Sequence, residues 1–237
     1  KKNKLDVEVI MVGCLGLCSK GPVIIIKPDD VFYTMAKLSD IDEIVESHLI
    51  NNQIVERLLY KEKNKVYPKL EDINFYKKQK RVVLEHAGKI DPENIFHYIA
   101  VDGYSALAKV LFDMKREEVL EEIKKSNLRG RGGAGYPTGL KWEKAYHEKD
   151  KIKYVACNAD EGDPGAFMDR SILEANPHAI IEAMIIMGYT IGASKGFIYI
   201  RHEYPIARHR LEKAIHDARE NNLLGKNILE SNFSFDI

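Results

Sequence analysis

Between Leu128 and Trp142 the chain reads Leu-Arg-Gly-Arg-Gly-Gly-Ala-Gly-Tyr-Pro-Thr-Gly-Leu-Lys-Trp, with five glycines in the ten positions from Gly130 to Gly139. Glycine has no Cβ to oppose positive φ, so successive N–H groups in such a stretch can turn toward one point and form an anion nest. A phosphate is the natural guest. The residues Leu140 to Tyr146 can begin a helix directly afterwards, adding a helix N-terminus to the nest, and Lys141 brings a full positive charge. Gly130-x-Gly132-x-x-Gly135 has the spacing of a dinucleotide fingerprint. That fingerprint must follow a strand, whereas this one follows the charged helical stretch Glu117 to Lys125. Gly139 is followed by Leu140 rather than by Lys-Ser/Thr, which disfavours a P-loop and nucleotide hydrolysis. A plain surface loop is the alternative on these residues alone, while a single Arg-Gly-Gly element of the RNA-binding kind is a poor candidate inside a folded, neutral domain.

The 36 basic and 36 acidic residues of the 237-residue chain cancel, so no global field recruits nucleic acid or an anionic membrane. Any charged ligand must be held locally. The most apolar stretch, Ala179 to Ile191, is shorter than the ~20 residues that span a bilayer and contains Glu182, so it is expected to be a buried helix without direct membrane insertion. Residue 1 is Lys and no signal-peptide pattern follows it, so a trimmed start is expected. Three cysteines do not make a disulfide framework, which favours a reducing, cytoplasmic setting.

Alternation and turn residues predict strands at Val7 to Val12 and Val23 to Ile26 on either side of a cysteine loop. Ser39 or Asp40 is expected to cap a helix with Ile41, Ile44, Val45 and Leu49 on one face. Residues 61–80 are polar, Lys-rich and aperiodic, and are expected to be a linker between a domain at 1–60 and another at 81–237. In the second domain Asp91-Pro92 is expected to start a helix, followed by helices at Ser105 to Met114 and Arg116 to Lys125. Strands are predicted at Ile152 to Cys157 and Gly196 to Ile200, helices after Pro177 and over Pro205 to Glu220, and a terminal strand at Phe233 to Ile237. This α/β alternation implies a mostly parallel sheet covered on both faces.

The stretch Cys157-Asn158-Ala159-Asp160-Glu161-Gly162-Asp163-Pro164-Gly165 follows the first of those strands, at the carboxyl end where open α/β sheets place ligands. Asn158, Asp160 and Glu161 can hydrogen-bond polyol hydroxyls and ring edges, and Asp163 or Glu161 a ribose or carboxamide. A bare acidic surface loop or a Ca²⁺ or Mg²⁺ loop is the alternative. Cys14-x-x-x-Cys18 offers two thiolates on one loop, half of the four ligands an iron-sulfur cluster requires. A zinc half-site or a regulatory thiol pair fits the same spacing. Cys157 is expected to be a packed thiol, and the histidines, among them His178, to be solvated or capping residues, since none has metal-ligand spacing.

Taken together, the loops at Arg129 to Trp142 and Cys157 to Arg170, with Glu174 to His178 and Ile200 to Pro205, resemble the flavoprotein subunit of respiratory complex I. The likeness extends to that subunit's relatives in NAD(P)-reducing and electron-bifurcating hydrogenases and NAD-dependent formate dehydrogenases. It runs from about Arg81 to Ile237. It implies FMN contacts at Gly130, Arg131, Gly132, Lys141, Asn158, Asp160 and Glu161 within the nest that Gly133, Gly135 and Gly139 complete. Dinucleotide contacts are implied near Tyr136 and the acidic loop, including Asp163. Lys144 and Gly162-Asp163 depart from the complex I pattern and look more like the hydrogenase branch.

The surroundings of Cys14 and Cys18 resemble the second cysteine pair of thioredoxin-like [2Fe-2S] ferredoxins, which are fused ahead of the flavoprotein in bifurcating hydrogenases. The implied fold is the C-terminal part of a thioredoxin-like ferredoxin domain followed by an incomplete Rossmann-like FMN-binding α/β domain. The first cysteine pair is then expected upstream of Lys1, and a [4Fe-4S] site beyond Ile237. The implied activity is NAD(P)H oxidation through FMN with single-electron transfer to iron-sulfur clusters, alongside other iron-sulfur, hydrogenase or dehydrogenase subunits. No side chain needs to act as acid, base or nucleophile. The alternative is a non-catalytic assembly or binding fragment of such a subunit.

Overall fold

The computed structural model describes residues 5–13 and 15–237, and the chain divides into two compact units, Cys14–Glu85 and Lys1–Gly13 with His86–Ile237. In the smaller unit, β1 (Ile24–Ile26) and β2 (Val31–Tyr33) form an antiparallel hairpin with Ile24 opposite Tyr33 and Ile26 opposite Val31. Side chains alternate across a strand, and all three residues of β2 are buried. Val31 and Tyr33 pack with Ile44, Val55, Leu58 and Leu59, while Phe32 faces Tyr67, Ile73 and Tyr76. One strand thereby serves two small cores. Helix α1 (Ile41–Glu43) continues as a π-helix over Ile44–Ile50. Its entry is a 3-10 turn at Leu38–Asp40, where the Asp40 carboxylate accepts the Lys37 N–H at 2.8 Å.

Two expectations fail in this part of the chain. Val7 to Val12 is not a strand: Val7, Val9 and Met11 are exposed, and no partner strand lies beside them among the described residues. β-branched composition favours an extended backbone, but a ladder also needs an edge to pair with. Residues 61–80 are structured rather than a bare linker. They hold most of a hairpin between β3 (Tyr60–Glu62) and β4 (Lys65–Tyr67), then α2 (Asn74–Lys77), with Tyr67, Ile73 and Tyr76 buried. The many lysines lie on the outside of that arrangement and conceal its few apolar anchors.

The larger unit opens with α3 (Ile95–Ile99), α4 (Ser105–Asp113), α5 (Arg116–Lys125) and α6 (Thr138–His147). Asp91-Pro92 makes a turn instead of starting a helix; the cap of α3 is Asn94, whose side chain accepts the Phe96 N–H at 3.0 Å. There follow β5 (Tyr154–Ala159), α7 (Met168–Ala175), α8 (Pro177–Ile191), β6 (Lys195–Ile200) and α9 (Pro205–Glu220). Asn176 caps α8 and Pro177 occupies its first turn, where a missing N–H costs nothing.

Strands β5 and β6 are parallel, in register from Tyr154 opposite Lys195 to Ala159 opposite Ile200. Asp236 adds a single parallel bridge to Lys195, so the terminal strand is present only as bridges at Phe235 and Asp236. The sheet is covered on one face, not two. Val155 and Ala159 are buried, whereas Tyr154 is 57% exposed, Phe197 52% and Tyr199 69%. The main core gathers on α8, where Ile181, Met184 and Ile185 pack with Leu107, Leu120, Trp142, Val155, Ala214 and Phe235. A second cluster, Ala159, Leu173, Tyr204, Ala207 and Leu211, lies at the carboxyl ends of the parallel strands. Among the described residues no helix is long and apolar enough to cross a membrane.

Helix α8 also carries a buried polar network. The Glu182 carboxylate accepts the Tyr98 hydroxyl at 2.6 Å, the Tyr104 N–H at 3.0 Å and the Leu107 N–H at 3.1 Å. One turn earlier, His178 Nδ1 lies 2.9 Å from the Tyr104 hydroxyl, and its ring stacks on Tyr98. His178 is 1% exposed, which corrects the expectation of a solvated or capping histidine. Its pKa is lowered to about 4, chiefly by burial, with Asp217 opposing the shift and Lys213 adding to it.

Candidate functional site

The glycine loop is a closed excursion from the N-terminus of α6. Gly130 N–H donates to the Tyr136 carbonyl at 2.9 Å and Thr138 N–H to the Leu128 carbonyl at 2.8 Å, with Arg129 bridged to Pro137 between them. The Gly130 N–H is thus committed to closing the loop rather than to a ligand. Beyond this closure the tip from Arg131 to Ala134 is exposed, and Gly133 and Gly135 have φ of +97° and +59°. Side-chain-bearing residues rarely adopt such angles. A Cβ placed on Gly132, Gly133 or Gly135 would meet nothing within 4 Å, so the backbone there is open to an approaching group.

Gly139 has a different role. A Cβ there would fall 2.6 Å from Lys124 Cγ and 2.8 Å from its Cα, so this glycine lets α6 lie directly on α5. Lys124 also ties the two helices through Glu143 at 2.9 Å. The side chain of Lys141 is exposed in the first turn of α6, and its N–H bonds the Pro137 carbonyl at 3.2 Å. Tyr136 is exposed beside the tip with the Lys144 ammonium 5.5 Å from its ring centroid. Lys144, which departs from the complex I pattern, thus sits over the tyrosine near which dinucleotide contacts are expected.

The acidic loop leaves the carboxyl end of β5. Asn158 Oδ1 accepts the Asp160 N–H at 3.0 Å, turning the chain, while Asp160 and Asp163 remain exposed. Glu161 is occupied: its two oxygens accept the Met168 N–H at 2.7 Å and the Asp169 N–H at 3.1 Å, and the Tyr204 hydroxyl also donates to it at 3.2 Å. It acts as an anionic cap on α7, where a carboxylate satisfies otherwise orphaned amides. Glu161, expected as a ligand contact, is by its geometry a support for the loop. Burial raises the pKa of Asp169, and the charge of Glu161 adds to the shift. Burial likewise raises that of the Cys157 thiol, with Asp169 contributing, consistent with a packed, protonated thiol.

Arg201 and Tyr204 lie in the Ile200 to Pro205 stretch that carried part of the resemblance, but neither was named there as a site residue. They follow β6 and reach across to the acidic loop, with the Arg201 guanidinium donating to the Glu161 carbonyl. An isolated Arg two residues before another charged residue leaves no periodic signal. At the cysteine loop, Cys18 is exposed in a 3-10 turn at Cys18–Lys20, and Cys14 lies outside the described residues. No group of three or more His, Cys, Asp or Glu side chains that could hold a metal comes together among the described residues.

Residues 123–234, from the end of α5 through both loops to just beyond a 3-10 turn at Ile228–Glu230, match the family described as the Nuo51 FMN-binding domain. That match spans just under half of the chain. Among relatives, the chain is 58% identical over 161 residues to the NADP-reducing hydrogenase subunit HndC of Solidesulfovibrio fructosivorans, covering 68% of this chain and 32% of that protein. It is 47% identical over 154 residues to an NADH-quinone oxidoreductase subunit of Rhizobium meliloti, covering 65% and 37% respectively. Among solved structures, the NAD+-reducing [NiFe]-hydrogenase in its H2-reduced state matches 94% of this chain and 34% of its own, with a TM-score of 0.50 and 27% identity. The chain thus spans about a third of the length of the relatives it matches. The Nuo51 segment holds the glycine loop, the acidic loop and the Arg201–Tyr204 clasp in one α/β unit.

Proposed function

We propose that this chain supplies the FMN- and NAD(P)H-binding part of an NAD(P)H-oxidising subunit within a larger redox complex. The observation that carries the reading is the pairing, within the Nuo51 segment, of a positive-φ glycine tip with the N-terminus of a ten-residue helix. The open backbone above Gly132, Gly133 and Gly135 and the exposed Lys141 fit a phosphate, which favours helix N-termini and fixed positive charge. When bound, FMN would take hydride from the dinucleotide and pass electrons on singly.

In this reading Arg131, Gly132, Gly133, Gly135 and Lys141 hold the phosphate end of the flavin. The Asn158 amide and the Asp160 carboxylate hold its polyol and ring edge. Tyr136 and Asp163, both exposed beside the loops, meet the dinucleotide. Gly130, Gly139 and Glu161 contribute by shaping the two loops. Residues 1–60 would be the C-terminal part of a thioredoxin-like ferredoxin domain, with Cys14 and Cys18 as two of four [2Fe-2S] ligands. The described residues do not by themselves furnish a cluster's donor set. Partner iron-sulfur or hydrogenase subunits would receive the electrons.

Adding FMN to the purified chain while following flavin fluorescence, then NADH-to-ferricyanide turnover, tests this function. Quenching with turnover is expected. Quenching without turnover supports a non-catalytic binding fragment. Lys141→Ala is expected to weaken FMN binding about tenfold through loss of a charge-assisted contact; an unchanged titration midpoint would remove Lys141 from the site.

A further inference from the structure

We infer that Arg201 is the positioning residue of the acidic loop: it extends the β5–β6 pairing beyond the last strand residues and holds Asp160 and Glu161 in place at the flavin site. The ladder ends at Ala159 opposite Ile200, and Asp160 and Arg201 are the next residues on each side. From there the guanidinium donates Nη1–H to the Glu161 carbonyl, lies with Nε 3.9 Å from Asp160 Oδ1, and reaches Glu203 Oε1 with Nη2 at 3.5 Å. Its Cζ lies 5.6 Å from the Tyr204 ring centroid, within cation–π reach. The Tyr204 hydroxyl in turn donates to Glu161 Oε2 and lies 3.4 Å from the Ala166 carbonyl. One side chain therefore addresses the backbone of the loop, its first carboxylate and the tyrosine that grips its far end.

This arrangement needs a planar fork. A lysine ammonium offers one point charge and can serve one of these directions at a time. The loop has few other ties: Asp160, Gly162, Asp163, Pro164 and Gly165 are exposed, and open, exposed backbone exchanges its amides readily. Releasing Arg201 would leave β5 paired through Ala159 and Glu161 capping α7, but free the loop that begins at Asp160. The functional half of this inference rests on the flavin reading above; the structural half does not.

The test uses the full chain and the variants Arg201→Ala and Arg201→Lys, with Arg208→Ala, on the exposed face of α9, as a control. Amide hydrogen exchange over residues 160–168 is measured without ligand, and FMN affinity by fluorescence quenching. Arg201→Ala is expected to speed exchange about tenfold at the hydrogen-bonded loop amides of Asp160 and Ala166, while exchange in β5 and β6 stays at the wild-type rate. FMN affinity is expected to fall about tenfold, with partial rescue by lysine and no change in the control. Wild-type exchange rates over 160–168 in both Arg201 variants overturn the inference. Faster exchange with undiminished FMN affinity overturns its functional half. A wild-type chain that does not bind FMN defeats the flavin reading instead, and the exchange rates still decide whether Arg201 holds the loop. Should the alanine variant fail to fold, the same comparisons are made with lysine, for which intermediate exchange and affinity are required.

Discussion

Replacing Glu182 with alanine is expected to lower the stability of the larger unit by on the order of 4 kcal/mol. The carboxylate accepts from the Tyr98 hydroxyl and from the backbone N–H groups of Tyr104 and Leu107, all buried. Its removal strands three donors at once and leaves a cavity between α8 and the start of α4. The tyrosines report the same polarity: burial, followed by the nearby Glu182, pushes both Tyr98 and Tyr104 well above the ordinary phenol range. Glu182→Gln keeps one accepting oxygen but turns an amide N–H₂ toward a donor, so an intermediate loss is expected. Urea unfolding at neutral pH measures both. A loss below about 1 kcal/mol for the alanine variant, the size of an exposed pair, would show that the network is not desolvated.

The second large effect is a pH dependence at His178. Its ring is 1% exposed, and Nε2 has no hydrogen-bond partner in the protein among the described residues. A charged imidazolium would bury an N–H donor with nothing to accept it, so the folded chain holds the ring neutral. The folded pKa lies at about 4, below the ordinary 6.5. Between these values the unfolded chain binds the proton and the folded chain does not, so stability rises with pH across that window. The contribution is complete above pH 6.5 and is lost as pH falls from there toward 4, amounting to roughly 3 kcal/mol in all.

His178→Asn, which keeps a polar group near Nδ1 to meet Tyr104 but does not titrate, provides the comparison. The stability advantage of the wild type over this variant should shrink by roughly 2–3 kcal/mol between pH 7.5 and 4.5. A difference that stays constant over that range would place the titration elsewhere.

The sequence disclosed these elements unevenly, for physical reasons. Helices α4, α5 and α9 and strand β6 lie within a residue or two of where patterning puts them, because each has a clear periodicity with a proline or charged boundary. The glycine tip was legible because positive φ leaves a compositional mark, as Gly133 and Gly135 show. The buried network was not. Tyr98 and Glu182 are 84 residues apart, and within α8 a lone Glu in an apolar run signals only that it must have a partner, not which one. His178 was misjudged for the same reason, since its environment is built from α3, α4 and α9 rather than from its neighbours in sequence.

Within the candidate site, local chemistry identified the loops but not the division of labour inside them. Gly130, Gly139 and Glu161 carry the residue types of a ligand site, yet their backbone and side-chain groups serve the loop closure, the α5–α6 contact and the α7 cap. Those roles depend on what lies opposite, which spacing does not encode. Residues 61–80 failed in the other direction: a lysine-rich exterior hid Tyr67, Ile73 and Tyr76, three anchors enough to fold a hairpin and a helical turn onto Phe32.

The central claim, that the glycine loop and the first turn of α6 hold the phosphate of a flavin, is tested most directly by titrating the purified chain with FMN and with riboflavin under identical conditions. The two ligands share the ring and the polyol and differ only in the phosphate. FMN is expected to bind at least about tenfold more tightly, with the advantage diminishing as salt is raised. Equal affinity for the two would contradict a phosphate site at Arg131 to Lys141.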